Sequence, residues 1–152
     1  MKKAIFLIIT CFSSVLSGQN FIQGMWHVPE SPYNPELVLQ FSKSHDRWFA
    51  KILWVSPQEH QVYLPQKHQA IKKLENQVLV WGLRQAHDNP NTATYGHVLA
   101  PGNNTEYMCS IEYNPKKDTI DFYGYTAPLL GKHFTWDRIS SNKFIALKKQ
   151  DS

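Results

Sequence analysis

The chain has 152 residues, with 16 basic side chains against 12 acidic ones and a formal net charge of +4; 42% of its residues are hydrophobic and 13% aromatic. That length suits one domain with a single real core. The lysine pairs Lys72-Lys73, Lys116-Lys117 and Lys148-Lys149 are scattered, whereas a nucleic-acid reader concentrates its cations on one face, so no nucleic-acid partner is expected.

Met1 to Gly18 has the three parts of a secretory signal: Lys2 and Lys3, an apolar run from Ala4 to Phe12, and small residues at Ser13, Ser14, Ser17 and Gly18. The run is shorter than the ~20 residues that a membrane-spanning helix needs. Residues 1–18 are therefore predicted to be a cleaved signal peptide, cut within 17–19. Residues 19–152 are then expected to be a single β-barrel domain, exported to a periplasm or to the outside. Leu16-Ser17-Gly18 begins like a lipoprotein signal, but Gln19 stands where a lipidated Cys is required. No lipid anchor is expected, nor any integral membrane segment after cleavage. Removing Lys2 and Lys3 brings the chain close to neutrality. Cys11 leaves with the signal, so Cys109 is expected to be a lone, buried thiol in a fold held by packing without an internal disulfide.

Further along, the periodicity is mostly two. The predicted strands are Ile22 to Val28, Leu37 to Ser42, Arg47 to Val55, Gln61 to Leu64, Gln77 to Gln85, Ala93 to Ala100, Glu106 to Tyr113, Thr119 to Thr126, His133 to Ile139 and Phe144 to Leu147. Turn signals separate them, among them Asn34-Pro35, Asp88-Asn89-Pro90-Asn91, Pro101-Gly102-Asn103-Asn104, Asn114-Pro115 and Ser140-Ser141-Asn142. Arg47 to Val55 is largely apolar on both faces. Trp48, Ala50, Ile52 and Trp54 fall on one side, Phe49, Lys51, Leu53 and Val55 on the other, so the outer face needs cover from a terminal segment or a partner. Gln69 to Leu79 fits either a helix or a hairpin arm, with the strand reading favoured. Gly82, Gly96 and Gly124 lie inside strands, where glycine marks a bulge, a bend or a close backbone approach. Short strands at about ten-residue spacing predict an all-β fold, an antiparallel barrel of about eight to ten strands with room for one short helix.

Gly24-x-Trp26 near the head and Trp136-Asp137-Arg138 near the tail pair as a structural latch of Gly24, Trp26, Trp136 and Arg138. A guanidinium lying over an indole gains about 0.5 to 2 kcal/mol, and Gly24 lets the chain pass close beneath. Gly-x-Trp opening the first strand with an Arg closing the last is a lipocalin-like arrangement. The tail carries more: Thr94 to Asn103, then Tyr107, then Tyr123-Gly124-Tyr125 and Leu129-Leu130-Gly131-Lys132-His133-Phe134-Thr135-Trp136-Asp137-Arg138. This resembles the ending of an exported bacterial family, domain of unknown function 2147. The resemblance runs strongly from Tyr95 to Ile139 and includes Gly24-x-Trp26 and Lys51-Ile52-Leu53-Trp54. It implies a lipocalin-like barrel and brings no established activity. Val98-Leu99-Ala100-Pro101 departs from the family's Ile-Tyr-Asp-Pro, and the stretch between Trp54 and Gln77 matches poorly.

No catalytic constellation stands out. The seven histidines lack the short paired spacing of zinc sites, although His87, His97 and His133 can meet across strands. Ser56 and Ser110 have no nucleophile-elbow setting, Asp118 and Asp121 read as solvated turn or outer-face residues, and no glycine-rich phosphate loop occurs. A non-enzymatic, monomeric protein without metal or cofactor is expected. An eight-stranded barrel can hold one small ligand, and the aromatic load suggests an apolar or amphipathic one, with Trp54, Trp81 and Tyr125 as lining residues. The rival is a filled barrel used as an envelope protein-interaction module through its outer aromatic surface.

Overall fold

Alternation of inward and outward side chains organises the whole fold. In the computed structural model, which describes residues 21–57 and 74–150, eight antiparallel strands close into a barrel in sequential order. They are β1 (Gly24–Val28), β2 (Leu37–Ser44), β3 (Arg47–Val55), β4 (Val78–Gln85), β5 (Thr92–Ala100), β6 (Thr105–Asn114), β7 (Thr119–Ala127) and β8 (Leu130–Arg138), followed by one helix, α1 (Ser141–Gln150). Every neighbouring pair is antiparallel, so the strand connections gather at two ends. One end carries the β1–β2, β3–β4, β5–β6 and β7–β8 connections; the other carries the remaining turns and the point where β8 returns to β1.

The interior is graded between those ends. Near the closing end it carries Trp26, Phe41, Trp48, Leu83, Ile111 and Ile120, all essentially buried. Rings of that size fill a small barrel, as expected of eight strands. Towards the opposite end the inward positions shorten to Val28, Val98, Ala100 and Gly124, which leaves space. Cys109 is a free, buried thiol against this core, and burial pushes its pKa well above the ordinary value.

Bulges reset the inward parity at two places that matter. In β2–β3 the register moves from Leu39 opposite Ile52 to Val38 opposite Trp54, so Leu53 is the extra residue. Beyond it the faces exchange: Val55 turns in, while Leu53 and Trp54 turn out to join Val38 and Ile139. The expectation that Trp54 shares a face with Trp48 therefore fails at the bulge. In β3–β4 one residue of β3, Phe49, opposes two of β4, Trp81 and Gly82, between Trp48 opposite Leu83 and Ala50 opposite Val80. Gly82, at φ +77°, lies in that irregular step.

The segment Phe144 to Leu147, expected as a strand, is instead the middle of α1. Ser140 caps the helix: its Oγ accepts a hydrogen bond from the Lys143 amide at 3.3 Å and its carbonyl from the Phe144 amide at 2.9 Å. Lys148 and Lys149 occupy the last turn, where cations suit the helix dipole. Phe144 and Leu147, three apart on one helix face, pack against the outer cluster of Val38, Trp54 and Ile139. This is the terminal cover that the doubly apolar β3 required. No helix among the described residues is long and apolar enough to cross a membrane. The predicted signal peptide and the predicted strand Gln61 to Leu64 lie outside the described residues, as does 69–73; β4 begins at Val78.

Candidate functional site

The barrel's shortened inward side chains open a half-enclosed, mainly apolar pocket of about 390 Å³ at the end that carries the β1–β2, β5–β6 and β7–β8 connections. Its walls include Val28, Leu79 and Val98, and its inner end is formed by Phe122 and Trp136, whose rings stack at 4.2 Å and 16°. Its volume is in the lower part of the ~300–1,000 Å³ range of small-molecule sites. Gly124 explains part of the space. A Cβ built there meets nothing closer than Phe122 at 3.5 Å, whereas one at Gly96 would stand 2.5 Å from Leu83.

The mouth is built by loops that hold each other. Ser31 and Asn34 exchange backbone hydrogen bonds of 2.9 and 3.3 Å, and Asn34 Nδ2 donates to the Pro29 and Pro35 carbonyls. The turn so formed projects Tyr33, whose carbonyl accepts from the Gly102 amide at 2.7 Å. Gly102 is needed there, since a Cβ would sit 2.8 Å from Tyr33 backbone atoms. The Tyr33 ring packs edge-on against Tyr107 and Phe134, at 6.3 and 6.0 Å between centroids. Leu129 and Leu130, where β7 turns into β8, also line the mouth and stand exposed.

Polar groups at the mouth are few. Lys132 is directly opposite Gly124 in the β7–β8 register, with Phe122 opposite Phe134 and Ile120 opposite Trp136. Cross-strand partners share a face, so Lys132 occupies an inward position of β8. Its ammonium reaches the solvent-filled mouth, 5.1 Å from the centre of the Tyr33 ring. The Tyr33 hydroxyl beside it raises the lysine's pKa from the ordinary value. The Tyr107 oxygen accepts from Asn103 Nδ2 at 2.8 Å, which leaves the phenolic hydrogen available to a further acceptor. No Asp or Glu is among the described lining residues.

The expected lining residues are distributed differently. Tyr125 borders the pocket, but at its rim: its ring stacks on Tyr123 at 5.0 Å along the outer face, and burial raises its pKa. Trp54 is under α1 on the outside, for the reason given by the β3 bulge. Trp81 is next to inward-facing Val80 and so points outward; it stacks on His97 at 5.7 Å and 11°. The pocket instead uses Tyr33, Tyr107, Phe122, Phe134 and Trp136. Lys132 was legible in principle, since it alternates with Phe134 and Trp136.

At the other end Arg138 closes the barrel. Its guanidinium lies 4.3 Å from the Trp26 ring centre and 6.0 Å from Tyr113. Nε donates to both Asp118 oxygens at 2.8 and 2.9 Å, and the terminal nitrogens donate to the Gln23 and Phe21 carbonyls at 2.8 and 2.7 Å. Trp26 Nε1 donates to the Ile22 carbonyl at 2.8 Å. Gly24, at φ +116°, would place a Cβ 3.0 Å from the guanidinium, so both the space and the backbone conformation call for glycine. Trp136 stands apart from this stack, in the pocket's inner end. Asp118, read from sequence as a solvated turn residue, belongs to the latch. Burial would raise its pKa, but hydrogen bonds from Arg138 and Tyr113 and the charge of Arg138 outweigh that and hold it below the usual carboxylate value.

The histidines are dispersed. His97 pairs with Glu106 at 2.9 Å and His133 with Asp121 at 2.8 Å on the outer face, and His27 pairs with Glu36 at 2.7 Å. No group of three potential metal ligands converges among the described residues.

The profile of the family described as an uncharacterized protein conserved in bacteria, DUF2147, matches residues 24–138, from the first barrel strand to the latch arginine. The chain belongs to this family. Among solved structures, the DUF2147 barrel is similar to protein HP1028 from the human pathogen Helicobacter pylori, which belongs to the lipocalin family. The TM-score is 0.64 over 84% of this chain and 88% of that one, at 18% sequence identity, so the likeness is one of fold. No curated protein matches the sequence.

Proposed function

We propose that this DUF2147 member is an exported, monomeric, non-catalytic carrier that binds one small apolar or amphipathic molecule in the pocket at the barrel mouth. The observation behind this reading is the gradient inside the barrel. Large rings pack the closing end solidly, while Val28, Val98, Ala100 and Gly124 leave about 390 Å³ of mainly apolar space at the other. Close-packed interiors rarely leave voids of this size. A lipocalin-like fold is compatible with the same use. Native mass spectrometry of protein purified from its own envelope tests the proposal. A reproducible small-molecule adduct supports it; a bare mass after gentle handling, together with no binding of added amphiphiles, sinks it.

A second reading, an envelope protein-interaction module, draws on the outer surface. Trp81, His97, Met108 and Tyr125 form a continuous cross-strand row, with Tyr95 70% exposed close by. Exposed apolar patches of that kind mark interaction sites. Crosslinking in the envelope through a photoreactive residue at position 95 would identify a protein partner reproducibly if this reading holds, and would yield only scattered products if it does not.

A further inference from the structure

The pocket has an electrostatic sign. Lys132 stands at an inward position of β8, where the neighbouring inward residues are Phe134 and Trp136. Its side chain stays exposed at the mouth, so its charge faces whatever enters there. Here no carboxylate lies within ion-pair distance of it among the described residues, and none lines the pocket. Opposite it is Gly124, whose missing side chain leaves room beside the ammonium. Tyr33 and Tyr107, whose rings meet edge-on in the pocket lining, add phenol donors.

We infer that the pocket takes a single-chain amphipathic anion, an alkyl carboxylate or alkyl phosphate, with its head at Lys132 between Tyr33 and Tyr107 and its tail against Val28, Val98 and Phe122. This rests on the ligand-binding reading above and adds the charge of the ligand. The geometry gives each part of such a molecule its matching surface. The inner end is mainly apolar and takes the tail, while the ammonium at the mouth stays hydrated and costs little to pair with an anion. A neutral alcohol of the same chain would lose only the ionic contact. A cationic amphiphile would set its head against Lys132 and be disfavoured.

Titration calorimetry with decanoate, decyl phosphate, decanol and decyltrimethylammonium, each below its micellar concentration, tests this. At low salt either anion should bind about threefold or more tighter than decanol, a modest ratio because the pairing is at a solvated rim. Added salt should shrink the ratio. It should fall to about one in Lys132→Met and survive in Lys132→Arg; comparing the two anions tells a carboxylate from a phosphate source. Equal affinities for anion and alcohol in the unaltered protein, a ratio untouched by Lys132→Met, or a preference for the cation would overturn the charge assignment while leaving the carrier reading intact. Failure of all four to bind would overturn both.

Discussion

Arg138 touches Trp26, Tyr113, Asp118 and two backbone carbonyls at once, which a lysine, lacking the planar fork of donors, cannot do. Trp26→Ala is expected to cost about 3–5 kcal/mol for a buried tryptophan, and Arg138→Ala less. The two losses should be coupled by about 0.5–2 kcal/mol in a double-mutant cycle read by denaturant unfolding. Simple additivity would mean that the stack contributes nothing of its own. Arg138→Lys should fail to rescue, because an ammonium cannot span Asp118 and both carbonyls. Asp118 makes the latch sensitive to acid. Its folded pKa is lowered, so its contribution is fully present above the unfolded value of about 3.9 and is lost as pH falls through the folded one. Asp118→Asn should therefore be less stable than the unaltered protein near neutrality, and the difference between their melting temperatures should shrink steadily below about pH 4. A difference that stays constant in acid would show that the carboxylate's charge is irrelevant.

At the scale of strands and helices, Gly96 and Gly124 make opposite predictions from the same residue type. A side chain at Gly96 collides with Leu83 and the Cys109 sulfur, at 2.5 and 2.8 Å from its Cβ; Gly96→Val should unfold or severely destabilise the barrel. Gly124 faces the pocket, so Gly124→Val should keep or raise the melting temperature while weakening ligand binding, as measured side by side by thermal unfolding and calorimetry. Loss of stability at Gly124 would show that the space is needed by the fold. Sequence could indicate that both glycines were special, but not which one bordered empty space, because that depends on what the neighbouring strands present. The same limit explains the other differences. Alternation placed most strands, and the Gly24, Trp26 and Arg138 latch was legible from the lipocalin-like resemblance together with the affinity of a guanidinium for an indole face. Period-two reasoning carried Trp54 inward because a bulge at Leu53 leaves no mark in composition. Phe144 to Leu147 is a short apolar run that suits strand or helix equally, and Ser140 as a cap together with the bare outer face of β3 decided for helix. Asp118 was missed because a turn carboxylate acquires a role only when an arginine twenty residues away folds over it.

Taken whole, the barrel is polarised: one end closes it and the other opens to the pocket. The closing seam is its shortest pairing. β1 and β8 share only the register pairs Trp26 with Arg138 and His27 with Asp137, whereas β7 and β8 pair from Thr119 opposite Asp137 to Ala127 opposite Leu130. A seam with so little ladder is where a closed sheet should open first, since sub-global opening follows the elements with the fewest supporting contacts. What reinforces it lies beyond the ladder: Arg138 bonded to the Phe21 and Gln23 carbonyls, and the Ile139 amide bonded to the Met25 carbonyl at 3.0 Å. Hydrogen exchange should therefore respond to Arg138→Ala unevenly. Amides of β1 should exchange about tenfold faster or more, as for a local loss near 1.4 kcal/mol, while those at the centre of β6 and β7 change by no more than the drop in global stability requires. Uniform acceleration across all eight strands would instead mean that the barrel opens only as a unit, with the latch setting its total stability and not the place where it gives way. If the uneven pattern holds, decanoate should protect the β7 and β8 amides around Gly124 and Lys132 and leave the β1–β8 seam near Arg138 nearly unaffected, because ligand and latch act at opposite ends of the same sheet.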